Sequence, residues 1–155
     1  MTRRIGVLAV FAIVLAAGSV LLAQDNPFVG TWKLNVASSK YDPGPAPQSQ
    51  TRTWDAAGMV MVNGLNAAGK PTSYGYTVNG DGMEHPTVGS VPNTADKISS
   101  KMTDANTYIA SFTKAGKHVE TATFKVSNDG KTMTIMAKGA TAAGAFNNTL
   151  VWDKQ

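Results

Sequence analysis

Tyr108-Ile109-Ala110-Ser111-Phe112-Thr113-Lys114-Ala115-Gly116-Lys117-His118-Val119-Glu120-Thr121-Ala122-Thr123-Phe124-Lys125-Val126 decides the fold. In its first half, Tyr108, Ala110 and Phe112 alternate with Ile109 and Ser111. In its second, Ala122, Phe124 and Val126 alternate with Thr123 and Lys125. A period of two is the side-chain period of a half-buried strand. Between the halves, Ala115-Gly116-Lys117 supplies the positive φ that a tight turn demands. Two such strands around such a turn make an antiparallel hairpin.

The same two signals continue in both directions. Toward the C-terminus come Asn128-Asp129-Gly130-Lys131, then Met133-Thr134-Ile135, then Phe146-Asn147-Asn148-Thr149-Leu150-Val151-Trp152. Toward the N-terminus come Asp104-Ala105-Asn106, Asn79-Gly80-Asp81-Gly82, Tyr74-Gly75-Tyr76-Thr77-Val78 and Ala67-Ala68-Gly69-Lys70-Pro71. Trp32, Leu34 and Val36 alternate with Thr31, Lys33 and Asn35. Turn sequences recur roughly every 10–25 residues, the spacing of a hairpin meander. After residue 24 no long stretch shows a helical period. An open meander leaves exposed edges, and closure removes them. The expected fold class is all-β: an antiparallel up-and-down meander of roughly eight to ten strands closing into a barrel. Two stretches break the rhythm. Tyr41-Asp42-Pro43-Gly44-Pro45-Ala46-Pro47 reads as a semi-rigid loop over one barrel end, because its three prolines lack backbone donors. Glu84-His85-Pro86 through Asn93 reads as a short strand and a long connection.

The chain begins differently. Thr2-Arg3-Arg4 precedes an apolar run from Ile5 to Ala23, the layout of a secretory signal peptide. The expected organisation is therefore a signal-peptide helix over 1–23 and one barrel domain over 24–155, in the periplasm or secreted. An uncleaved anchor is the competing reading, since the run approaches the roughly 20 residues of a membrane span. The chain has no cysteine, which excludes disulfides, thiolate metal sites, cysteine nucleophiles and thiol-linked lipid. Its stability rests on the packed core. The formal charge is +4, and without Arg3 and Arg4 the remaining 12 basic residues face 10 acidic ones. The lysines are scattered, with no clustered basic face, so nucleic acid is not an expected partner. A monomer is expected.

Phe28-Val29-Gly30-Thr31-Trp32-Lys33-Leu34 resembles the opening of the lipocalins and the intracellular fatty-acid-binding proteins, whose first strand carries Gly-x-Trp. The resemblance covers the layout of residues 27–155. It implies a lipocalin-like barrel whose closed end is plugged by Trp32, and a small apolar or amphipathic ligand inside. Three family features are missing. The two lid helices that fatty-acid-binding proteins place after the first strand give way here to the proline-rich loop. The Arg-x-Tyr pair of the fatty-acid binders' last strand is replaced by leucine and tryptophan in Thr149-Leu150-Val151-Trp152. The late arginine that lipocalins stack on the signature tryptophan is absent, because no arginine follows Arg52.

Arg52 is the only arginine after residue 4. It shares a strand face with Trp54. Facing inward, it stacks over Trp32 or meets an anionic ligand; facing outward, it is a surface residue. Trp54, Met61, Tyr74, Tyr76, Tyr108, Phe112 and Phe124 join it as candidate ligand-binding residues. Such side chains either fill a barrel or line its pocket. His118-Val119-Glu120 places an imidazole and a carboxylate on one strand face, which permits acid–base work. Glu84-His85 is the other such pairing. Two histidines and two glutamates make a poor metal set, and no metal, cofactor or nucleotide motif is expected. The leading expectation is a non-catalytic, exported small-molecule binder. A solid barrel acting through its loops, especially residues 42–50, is the alternative, and an enzyme using His118 and Glu120 is the third.

Overall fold

The computed structural model describes residues 26–155; the expected leader at 1–23 lies outside the described residues. Eleven strands form one antiparallel sheet. They are β1 (Gly30–Leu34), β2 (Ser49–Trp54), β3 (Met59–Leu65), β4 (Pro71–Thr77), β5 (His85–Pro86) and β6 (Val88–Gly89). β7 (Lys97–Asp104), β8 (Thr107–Lys114), β9 (Lys117–Val126), β10 (Thr132–Thr141) and β11 (Gly144–Lys154) follow. Each long strand pairs with its sequence neighbour except β4 with β7. The last strand returns to the first, with Trp32 opposite Lys154 and Leu34 opposite Trp152. The ribbon therefore curls round on itself. The one break lies between β4 and β7, where β6 pairs with β4 and β5 with β7. An isolated bridge between Asp81 and Lys101 spans it. The nearly closed meander is the expected fold.

Local chemistry sets the turns. The Asp55 carboxylate accepts from the backbone N–H of Ala57 and Met59, closing β2 onto β3. The Asn66 side chain does the same for Ala68 and Lys70, closing β3 onto β4. Gly30 opens β1 with φ of 135°, a conformation that side chains disfavour. Inward residues then alternate along each strand, among them Trp32 and Leu34, Val60 and Val62, Tyr108, Ala110 and Phe112, and Ala122, Phe124 and Val126.

One irregularity matters for the site. Opposite β8, Phe112 pairs with Glu120 whereas Thr113 pairs with His118, so β9 carries an extra residue at a bulge. A bulge reverses which face the following residues take. Glu120 is thereby in phase with inward Ala122 and Phe124, and His118 turns out to solvent, where its Nε2 lies 2.9 Å from Thr121 Oγ1. On the far side of β9, Gly139 faces this bulge. A Cβ there would collide with the Val119 carbonyl oxygen. Glycine lets β10 approach the distorted strand.

Candidate ligand-binding site

The barrel interior divides along its axis. At the closed end the side chains interlock. Phe28 packs against Trp54 and Tyr108 with ring centroids 4.8 Å apart in both cases. Trp54 in turn meets Phe124 edge-on at 5.7 Å. Trp32 is fully buried, and its indole N–H donates to the Phe28 carbonyl at 2.8 Å. Lys154 places its ammonium 5.0 Å from the Trp32 ring and donates to the Pro27 carbonyl. A lysine thus covers the signature tryptophan where the lipocalin resemblance implied an arginine.

The other end is hollow. A cavity of about 360 Å³ opens there, near the lower limit of the roughly 300–1,000 Å³ typical of small-molecule sites. Its walls are Tyr74, Tyr76, Phe112, Ala122, Phe124, Ile135, Ala137 and Leu150, and its rim carries Phe146. Tyr41, Pro43, Pro45 and Pro47 of the proline-rich loop roof it, as their position in the sequence led one to expect. A register bridge between Lys40 and Thr149, and the Asp42 N–H on Asn148, hold that loop to β11.

Arg52 stands in the cavity wall, only 2% exposed. It faces inward because β2 pairs with β1 so that Arg52 lies opposite buried Trp32. Its guanidinium stacks 4.6 Å from the Trp152 ring, not over Trp32. One Nη donates to the Tyr76 hydroxyl at 2.7 Å. The Nε–H is buried with no partner. Among the described residues, no carboxylate lies within ion-pair distance of Arg52. A buried cation is ordinarily paired, because an unpaired one keeps its desolvation penalty.

The phenols around it stay protonated. Burial pushes the Tyr41 hydroxyl up to about 12, with Arg52 pulling weakly the other way. Burial likewise raises Tyr74 and Tyr76, against the charge of Arg52 and, for Tyr76, its hydrogen bond. Tyr76 accepts from Arg52 and so keeps its own proton to donate. The Tyr41 hydroxyl is buried and unpartnered. Arg52, Tyr76 and Tyr41 together offer donors and no acceptor charge. Glu120 supplies the opposite sign elsewhere on the wall. Burial raises its pKa, against the Asn93 hydrogen bond and the charge of Arg52. Asn93 donates to it at 2.7 Å and is itself held by the Ala95 N–H.

Of the candidate residues, Arg52, Tyr74, Tyr76, Phe112 and Phe124 meet at the cavity. Trp54 and Tyr108 belong to the packed end instead, because they sit lower on their strands. Met61 does not face the interior at all. It alternates with buried Val60 and Val62 and lies outside over Gly75, whose Cβ would collide with its sulfur. The reading of His118 and Glu120 as one-faced is corrected by the bulge, which parts them. Glu84 pairs with Lys97 and His85 with Asp81. No metal-holding cluster occurs among the described residues. Glu120, Tyr41, Asn93, Ile135 and Leu150 had not been singled out for the cavity. Glu120 was detectable, since it shares the phase of Ala122, Phe124 and Val126.

Barrel and cavity together define a lipocalin-like fold of the kind found in fatty-acid-binding proteins. As-p18, an extracellular fatty acid binding protein, matches with a TM-score of 0.51 at 18% identity, over 84% of this chain and 97% of that one. Zebrafish ileal bile acid-binding protein, complexed with cholic acid, matches with a TM-score of 0.48 at 11% identity, over 83% of this chain and 99% of that one. The likeness is one of fold. No protein-family model and no curated protein matches the sequence. No helix among the described residues is long and apolar enough to cross a membrane.

Proposed function

We propose that this chain is a non-catalytic carrier for one small amphipathic molecule, whose anionic group seats on Arg52 and whose apolar part fills the cavity. A single observation carries the reading: a buried guanidinium in an aromatic-walled hollow, without an acidic partner. The donors left free at Arg52 Nε, Tyr41 and Tyr76 suit a carboxylate, since hydrogen bonds to charged groups are the stronger kind. Ile135, Ala137, Leu150 and Phe112 suit a hydrocarbon. Similarity in fold to an extracellular fatty acid binding protein adds support. A solid barrel fits less well, because the interior beneath the proline-rich loop is open. Export and a monomeric state belong to the same proposal; Thr2-Arg3-Arg4 and the apolar run that follows support the export. The intact mass of protein recovered from the producing cells tests the cleavage.

Displacement of a fluorescent fatty-acid analogue by dodecanoate and by dodecanol tests the binding. Dodecanoate should displace it about tenfold better or more, as expected for one charge-assisted contact. Equal displacement would leave an apolar site and remove the anion. No displaceable binding would end the proposal.

A further inference from the structure

Arg52 and Glu120 present opposite charges to one cavity without touching each other. Their separation has a physical cause. Arg52 is tethered by the Tyr76 hydroxyl and by the face of Trp152. Glu120 is tethered by Asn93 and aimed inward by the β9 bulge. A flexible pair of this kind in a low-dielectric hollow attracts strongly, yet packing keeps the two groups on separate walls. Each also retains unmet capacity. Arg52 keeps a buried Nε–H without a partner. Glu120, half-buried in the cavity lining, accepts from Asn93 through one carboxylate oxygen and leaves the other free for a donor. A plain fatty acid satisfies the first and leaves a carboxylate facing its hydrocarbon.

We propose that the ligand carries a second polar group, a hydroxyl or amine that donates to Glu120 while its carboxylate sits on Arg52. Glu120 is then a specificity-determining residue that selects hydroxylated or amino-bearing carboxylates over unsubstituted ones. This rests on the anion-carrier reading above and deepens it. The pKa of Glu120 is raised by desolvation in the cavity wall, against the Asn93 hydrogen bond and the Arg52 charge. The modest cavity accords with a short amphipath. A site built to hydrogen-bond a substrate hydroxyl discriminates strongly against the analogue lacking it, because its own buried group is left unpaired.

Isothermal titration of the intact protein with decanoate, and with decanoates hydroxylated at the second, third or last carbon, tests the inference. At least one hydroxylated isomer should bind about tenfold tighter than decanoate. Glu120→Met should abolish that preference and tighten decanoate itself, by removing a negative charge from the cavity. Glu120→Gln, which keeps the shape and the Asn93 partner, should reduce the preference without abolishing it. If no isomer outbinds decanoate, or if the preference survives both substitutions, the inference is overturned while decanoate binding keeps the carrier reading intact. If neither decanoate nor any isomer binds, both fall together.

Discussion

Replacing Arg52 by methionine should leave the empty protein at least as stable as before while destroying its affinity for carboxylates. The guanidinium is buried, so it retains a desolvation cost of several kcal/mol that the Glu120 charge, beyond ion-pair distance, offsets only in part. Against this stand one charge-assisted hydrogen bond to Tyr76, about 2 kcal/mol, and stacking on Trp152, again about 2 kcal/mol when desolvated. Methionine is flexible and close in length, so it fills the space without a large cavity. The balance comes to between zero and about 2 kcal/mol in favour of the variant. For a domain of this size that is a rise in Tm of up to roughly 8 °C. Urea unfolding of both ligand-free proteins, with matched m-values, gives the number. A structural arginine would behave oppositely. A loss above about 2 kcal/mol, with carboxylate binding unchanged, would refute the reasoning.

Glu120→Gln tests the buried carboxylate through pH. The folded-state pKa of Glu120 is raised above 4.5, so its contribution to stability is full below that value and is lost as pH rises through the folded pKa. The variant should therefore match the parent near pH 4 and exceed it at neutral pH, as followed by thermal melts across that range. Tyr41→Phe removes a hydroxyl that has no partner, and should leave the melting temperature unchanged while weakening carboxylate binding several-fold in titration. Gly139→Ala drives a methyl into the Val119 carbonyl, and should cost about 1–3 kcal/mol by urea unfolding. Trp32→Ala should cost about 3–5 kcal/mol in the same assay, since the ring is fully enclosed at the packed end.

The fold was legible because its two signals are local. Alternation in 108–126 and turn chemistry at Asn79-Gly80, Ala115-Gly116 and Asp129-Gly130 specify strands and hairpins without any long-range information. Closure was inferable from the need to cover edges. Within the site, legibility stopped where a face depends on tertiary pairing. Val60-Met61-Val62 is apolar at every position, so alternation is silent on which residue points inward, and Met61 was misplaced. Thr51-Arg52-Thr53-Trp54 alternates cleanly, yet only pairing with Trp32 on β1 makes its apolar phase the inner one. The bulge at Val119 and Glu120 leaves no local mark, because one extra residue reverses a face while the composition stays the same. Trp54 and Phe112 are both inward aromatics, and height along the barrel axis alone separates packing from cavity wall. An anionic ligand at Arg52 was one of the readings open in the sequence. The inward face of β2, together with the absence of a carboxylate within ion-pair distance among the described residues, is what favours it. The last strand lacks the arginine that the family resemblance would place there; instead Trp152 on β11 supports an arginine contributed by β2.

Backbone amide NMR mapping of a dodecanoate titration probes the interior most directly. Shifts should concentrate at Arg52, Tyr76, Phe112, Phe124 and Leu150 and in the proline-rich loop, with the packed end around Trp54 and Tyr108 unmoved. Shifts confined to outward positions such as Met61, Ile109 and Met136, or none at saturation, would contradict a ligand-bearing barrel.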